Sequence, residues 1–344
     1  MYYTYSDYLK NKYHEKVYKL PVNLPVTCPN RLNGACGCDF CAEQGTGFEA
    51  LNLPVTCPNR ISGAGCSFCA ETGTGFEAMD SAVSVTEQLM STRKYIEKRY
   101  HAHKFIAYFQ NYTNTFLPID RFEKYMREGA SFPDVVEISI STRPDCIRSD
   151  YLKILEKIRS EFQVEITLEL GLQTVNYHTL RNIHRGHTLA EFIDAMWIIR
   201  DYHFDTCAHV ILNLPGDDLI DAIESAKILS ALQVSTVKLH SLYIAKNTRL
   251  CEAYENGTIT LCSKEDYITR AITFLEYLNP EIAVERLFSR IPENDAVFCN
   301  WGTSWWKLKD ELLNTMQKTD SYQGKMYHYL HGAALRSLDG SDNL

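Results

Sequence analysis

Five times in succession between residues 85 and 244, an amphipathic helical pattern gives way to a short apolar run. VTEQLMSTRKYIEKRY (85–100), with Val85, Leu89 and Ile96 at helical spacing, leads to KFIAYF (104–109). DRFEKYMREGA (120–130) leads to VVEISIS (135–141), and YLKILEKIRSEF (151–162) to VEITLEL (164–170). LAEFIDAMWIIRDY (189–202) leads to DTCAHVILNL (205–214), and DLIDAIESAKILSAL (218–232) to VKLHSLYI (237–244). Strands separated by helices cannot close as hairpins, so this rhythm marks βαβ units and a parallel sheet. KVYKL (16–20) supplies a first strand and brings the count to six. The expected fold is α/β: a partial, open (β/α)6 TIM-like barrel over residues 1–246. Chemistry in such folds gathers in the loops beyond the carboxyl ends of the strands. After residue 247 the pattern changes to one or two helices (250–279), a last strand (282–288) and a closing helix (306–318). These form an expected α+β extension, 247–320, packed on the barrel, followed by a polar tail, 321–344, expected to fray.

The loop after the first strand holds two near-copies of one cysteine cassette, within residues 23–79. NLPVTCPNRLNGACGCDFCAEQGTGFEAL is followed at once by NLPVTCPNRISGAGCSFCAETGTGFEAM, and with one insertion at Cys36 only five aligned positions differ. Each copy offers one cysteine, a gap of eight or nine residues, then C-x-x-C: Cys28, Cys38 and Cys41, then Cys57, Cys66 and Cys69. Three thiolates at that spacing suit an iron–sulfur cluster with one iron free of protein ligand. Two rivals use the same residues. The two C-x-x-C pairs together have the form of a four-cysteine zinc ribbon, and both cassettes together suit a ferredoxin-like electron carrier. Either would be a non-catalytic metal-binding protein, and neither needs the barrel pattern downstream.

Composition narrows the setting. No stretch approaches the roughly 20 apolar residues of a membrane span, and the tyrosine-rich start MYYTYSDYLKNKYHEKVYK lacks a signal-peptide core. The expected location is the cytoplasm, where thiols stay reduced and twelve cysteines read as metal ligands or buried apolar groups rather than disulfides. A formal charge of −8 argues against a broad basic surface for nucleic acid.

The series TCPNR, CSFCAE, AYFQNYTNT, STRPD, LELGLQT, HRGHT, NLPGD and KLH resembles the radical S-adenosylmethionine (SAM) superfamily, and more narrowly its YhcC-like family. ELGLQT followed by RGHT is also similar to the radical SAM domain of the Elongator catalytic subunit. The resemblance implies a [4Fe-4S] cluster on three cysteines, with SAM chelating the fourth iron. It also implies a low-potential electron donor such as flavodoxin or ferredoxin, and reductive cleavage of SAM to a 5′-deoxyadenosyl radical. By the same resemblance Gln173 and Arg185 contact SAM, and Gln110 and Asn111 stand where relatives hold its amino group. Asn213 and Asp217 stand where relatives carry glycine and glutamate. RNA enters as a substrate option through the Elongator likeness, with the net charge against it.

Duplication leaves open whether the chain carries one cluster or two. Copy two has the more regular spacing and keeps its distance to the helix at Val85, so Cys57, Cys66 and Cys69 are favoured as the SAM cluster. Of the remaining residues, His187, His209 and His240 read first as hydrogen-bonded structural histidines. Arg143 and Asp145 read equally as a structural ion pair or a contact for cofactor or substrate. Trp301, Trp305 and Trp306, with Arg286, read as packing of the extension ahead of a cap over a cavity.

Overall fold

The computed structural model describes residues 1–24, 83–291 and 296–336. Its centre is one parallel sheet whose strands follow chain order almost throughout: β1 (Val17–Val22), β2 (Lys104–Phe109), β3 (Val135–Thr142), β4 (Glu165–Gln173), β5 (Asp205–Ile211), β6 (Thr236–His240) and β8 (Ala283–Arg286). Pro21, which has no N–H to give, lies on the edge strand β1, where only one neighbour must be paired. Between strands run α2 (Val85–Tyr100), α3 (Ile119–Ala130), α4 (Ser149–Phe162), α6 (Leu189–Arg200) and α7 (Leu219–Leu232), with α9 (Lys264–Tyr277) before β8. Local chemistry starts these helices. Ser84 with Glu87, Thr188 with Glu191, Asp218 with Asp221 and Ser263 with Asp266 form capping boxes that satisfy orphan N–H groups.

Alternation along each strand separates two faces. Ile166, Leu168 and Leu170 of β4 join Phe105, Phe109, Ile138 and Ile140 and the helix residues Leu89, Phe122, Leu155 and Phe192 in one apolar layer outside the sheet. The alternate positions, Thr167, Glu169 and Gly171 in β4, face the interior. The sheet curls strongly. Seven flat strands would separate the edges by about 29 Å, yet Lys19 of β1 forms an ion pair with Glu285 of β8.

The N-terminal mouth is closed by α1 (Tyr5–Tyr13). Lys12 reaches Glu137 at 3.0 Å and Asp205 at 2.7 Å, Tyr13 donates to Glu137 at 2.5 Å, and Tyr8 donates to Asp205 at 3.0 Å. Glu137 also accepts from Thr167, and Asp205 from Ser235. Paired in this way, two carboxylates inside the barrel become tolerable.

The partial α/β barrel is as expected, with three differences. It has seven strands rather than six, because β8, from the segment read as an extension, pairs with β6. The run 237–244 breaks at Ser241 into β6 and β7 (Tyr243–Ala245), and β7 pairs antiparallel with β9 (Ala296–Cys299). Across 250–279, where one or two helices are expected, there are two, α8 (Arg249–Glu255) and α9, separated around Gly257. The described start of the tail after α10 (Trp305–Lys318) docks where fraying was expected. Gln323 is buried, accepts from the Tyr3 N–H at 2.8 Å, and donates to the carbonyls of Asn279 and Ile282.

Candidate active site

A charged residue inside a strand buried on both faces is costly unless paired, so its partners show what the interior is built for. Lys19 lies 2.6 Å from Glu169 and also contacts Glu285; Lys238 lies 2.7 Å from Glu169 and 2.9 Å from Glu285. Two cations and two anions thus alternate round a closed ring. Tyr108 stacks its face under both ammonium groups, 4.6 and 4.8 Å from its centroid, and its hydroxyl accepts from Lys238 at 3.1 Å. Ser139 donates to Glu169 at 2.7 Å, and His209 Nε2 sits 2.7 Å from the other carboxylate oxygen. Burial alone would raise the Glu169 pKa; Lys19 and Lys238 overcome it and hold the carboxyl well below its ordinary value. Burial, then Lys238, pushes His209 down to about 4, so at neutral pH it is an uncharged donor. Cys207 lies 3.7 Å from Glu285 with its thiol pushed up by burial, which leaves it unreactive.

Beyond this ring, at the carboxyl ends of the strands, the side chains belong to loops. After β2, Asn114 donates to the carbonyls of Phe109, Asn111 and Ser141 and folds the loop back on itself. Gln110 gives its backbone N–H to Val22, and Asn111 donates to Asn23 at 2.8 Å. After β3, Arg143 grips Asp145 through two hydrogen bonds of 2.8 and 2.5 Å and reaches the Gly186 carbonyl at 3.3 Å.

A bulge ends β4 between Gly171 and Gln173, and Gln173 takes a positive φ of 74°. Arg185 donates to the Gly171 carbonyl at 2.9 Å, and His187 Nε2 meets the same oxygen at 3.0 Å. A Cβ at Gly171 would lie 2.4 Å from Arg185 Nη2 and 2.9 Å from Gln173 Nε2, so glycine is what lets these side chains converge. Burial, then Arg185 and Arg143, pushes His187 down to about 3. Beyond β5, burial pushes Asp217 up to about 6 against hydrogen bonds from Thr179 and Thr174.

The structure therefore brings Gln173 and Arg185 together beside Gly171, with Gln110 and Asn111 two strands away in the loop after β2. Cys28, Cys38, Cys41, Cys57, Cys66 and Cys69 lie outside the described residues. Sequence reasoning passed over Glu169, Lys238, Lys19 and Glu285, although a charge at an alternate position of an otherwise apolar strand is their signal. His187 and His209 are hydrogen-bonded, as expected. Trp301 packs on Tyr267 and Phe298 and donates to the Cys262 carbonyl.

Several buried polar atoms at this end have no partner among the described residues: Asn111 Oδ1, Asn213 Nδ2, Asp217 Oδ1, His240 Nε2 and Arg286 Nε. Native interiors rarely leave such atoms unmatched. Of these, Asn111 Oδ1, Asn213 Nδ2 and Asp217 Oδ1, on the loops after β2 and β5, offer acceptors and a donor that fit the amino and nucleoside groups of SAM.

Comparison with known proteins agrees with the motifs. Residues 51–229 match the radical SAM superfamily, and residues 234–318 match its C-terminal domain. An uncharacterised protein of Methanocaldococcus jannaschii is 30% identical over 94% of this chain and 91% of its own length. The protein YhcC of Escherichia coli (strain K12) is 27% identical over 95% of this chain and 93% of its own. Among solved structures, the archaeal Methanocaldococcus infernus Elp3 with an N-terminal deletion superposes with a TM-score of 0.60 at 17% identity, over 70% of this chain and 60% of that one.

Proposed function

The chain belongs to the radical SAM superfamily, and on that premise we propose that it is a radical SAM enzyme cleaving SAM reductively at a [4Fe-4S] cluster. The observation that carries this reading is the family match itself, which runs from one complete cysteine cassette through β5. That match begins at residue 51, so it takes in Cys57, Cys66 and Cys69 and leaves out Cys28, Cys38 and Cys41. This supports the second copy as the cluster that meets SAM, with the first as a second cluster or a redundant duplicate. When bound, cluster and cofactor supply a 5′-deoxyadenosyl radical that takes a hydrogen atom from substrate.

The protein's own contribution is positioning. Asn111 Oδ1, a buried acceptor without a partner among the described residues, suits the SAM amino group beside Gln110. Gln173 and Arg185, converging at Gly171, suit the rest of the cofactor. Below them the Lys19–Glu169–Lys238–Glu285 ring is a charge-balanced floor, and α1 shuts the N-terminal mouth against water. No helix among the described residues is long and apolar enough to cross a membrane, in keeping with a cytoplasmic enzyme reduced by flavodoxin or ferredoxin. An RNA substrate draws no support from a net charge of −8.

Anaerobic reconstitution tests the reading. Brown protein that yields 5′-deoxyadenosine from SAM under a low-potential reductant is expected. Colourless protein retaining tight zinc would overturn it in favour of a ribbon, and a brown protein inert to SAM would leave an electron carrier.

A further inference from the structure

His240 ends β6 and Arg286 ends β8, neighbouring strands of the sheet. The wall they stand on is firmly tied. Ser241 donates to Asn300 Oδ1 at 2.5 Å, the Ser289 N–H donates to Ser241 at 2.9 Å, and Asn300 donates to the Ser289 carbonyl at 2.9 Å. His240 Nδ1 lies 3.3 Å from Ser289 Oγ, and its ring packs on His209 with centroids 5.4 Å apart. On the other side of that ring, nothing among the described residues meets Nε2, which is buried. Arg286 Nε is buried and unmatched too, and Arg286 makes no ion pair among the described residues.

Glu169 and Glu285 are held by Lys19 and Lys238, and neither pairs with Arg286. Arg286 is half-buried, with Nε its inward, unmatched atom. Buried polar atoms without partners are rare, so His240 Nε2 and Arg286 Nε together mark a place that a ligand completes.

We propose that Arg286 and His240 form an oxyanion subsite that seats a carboxylate or phosphoryl group of the substrate. This rests on the enzyme reading above and names the chemistry its substrate must carry. Guanidinium N–H groups match such oxygens in geometry and charge. Burial, then the Arg286 charge, holds His240 well below its ordinary pKa, so the ring is neutral. In the tautomer whose Nδ1 accepts from the Ser289 hydroxyl, the single ring proton sits on Nε2 and donates to the same anion.

The test uses the reconstituted full chain with inorganic phosphate and acetate as separate probes, read by calorimetry and melting temperature. Wild-type protein should bind at least one of them. Arg286→Gln and His240→Gln should weaken that binding roughly ten- to a hundredfold, and Arg286→Lys should retain part of it. Preference for phosphate or for acetate tells a phosphoryl from a carboxylate substrate. SAM affinity is measured on the same samples. Loss of SAM affinity in Arg286→Gln assigns the pair to the cofactor and overturns the inference, as does wild-type protein that binds neither probe in an Arg286-dependent way. Failure of SAM cleavage in the wild type, with Arg286-dependent anion binding intact, would instead remove the enzyme reading and leave the anion site.

Discussion

Gly171 sits where two side chains, Arg185 and Gln173, need room, and each responds to its own substitution. Gly171→Ala would set a methyl 2.4 Å from Arg185 Nη2 and push the guanidinium off its carbonyl. We expect SAM affinity to fall in this variant, and roughly ten- to a hundredfold in Arg185→Gln or Gln173→Ala, with iron content unchanged. Equilibrium dialysis and iron analysis on the same samples check both halves; normal SAM binding in folded variants removes these positions from the cofactor site. The ion ring makes a stability prediction. Glu169→Gln strips the counter-charge shared by Lys19 and Lys238 and leaves His209 facing a neutral amide. Breaking a buried pair by removing one partner costs about 3–5 kcal/mol, readable as a lower urea midpoint. A loss below about 1 kcal/mol would mean that water or rearrangement replaces the ring. Sequence reasoning passed these residues over, although alternation assigns their face and marks them as interior charges. Their partners were not legible, because alternation says nothing about which strand lies opposite once the sheet curls.

At the scale of elements, α1 is the piece whose removal should be felt most. It contributes little apolar surface, Leu9 being its one buried residue among those described, but its Lys12 neutralises both Glu137 and Asp205. Lys12→Met should leave two carboxylates unpaired at the barrel floor and lower stability by several kcal/mol. Raising the salt concentration should rescue little of this, because the pairs are largely shielded from solvent. A melting temperature within a degree or two of wild type would reduce α1 to a passive cover. The helix starts on the outside behave differently. Thr188→Ala removes half a capping box and should cost about 1 kcal/mol, with no effect on iron or SAM. Such boxes are local in sequence, which is why helix starts at residues 85 and 189 fall where the pattern predicts them. The split of the run 237–244 was not visible, since it depends on Ser241 engaging Asn300 and Ser289 far along the chain.

The whole molecule should be stable at neutral pH and lose stability in acid. His187 and His209 are held neutral, at about 3 and about 4 against an ordinary 6.5, so below 6.5 the unfolded chain binds protons that the fold refuses. Their contribution is complete above that pH and is lost as pH falls. Glu169, held low by two lysines, acts in the same direction at lower pH. Asp217 opposes them: raised to about 6, it favours the fold in acid and loses that contribution as pH rises from 3.8. His240 is held low as well, and three histidines against one carboxyl set the net slope. Urea midpoints should therefore fall between pH 6.5 and 4, and His209→Gln should flatten the curve; a profile unmoved by that change would refute the assignment. On the same scale, changing Cys57, Cys66 and Cys69 together to alanine should abolish SAM cleavage, whereas the matching change at Cys28, Cys38 and Cys41 should leave some. About eight irons per wild-type chain would mean two [4Fe-4S] clusters, and about four would mean one. The reverse pattern of activity would transfer the SAM cluster to the first copy.

What the sequence determined by itself is what depends on near neighbours: the order of helices and strands, the caps, the inward and outward faces, and the short motifs that mark the superfamily. What only the tertiary structure decided is what depends on closure. Lys19 and Glu285 meet across 266 positions of chain, β8 leaves the supposed extension to become the seventh strand, and Gln323 of the polar tail ties the first residues to the last turns of the fold. Hydrophobic periodicity carries the identity of an element but not its register or its distant partner, so charges written on separate strands become a ring only when the sheet bends round to bring them within reach.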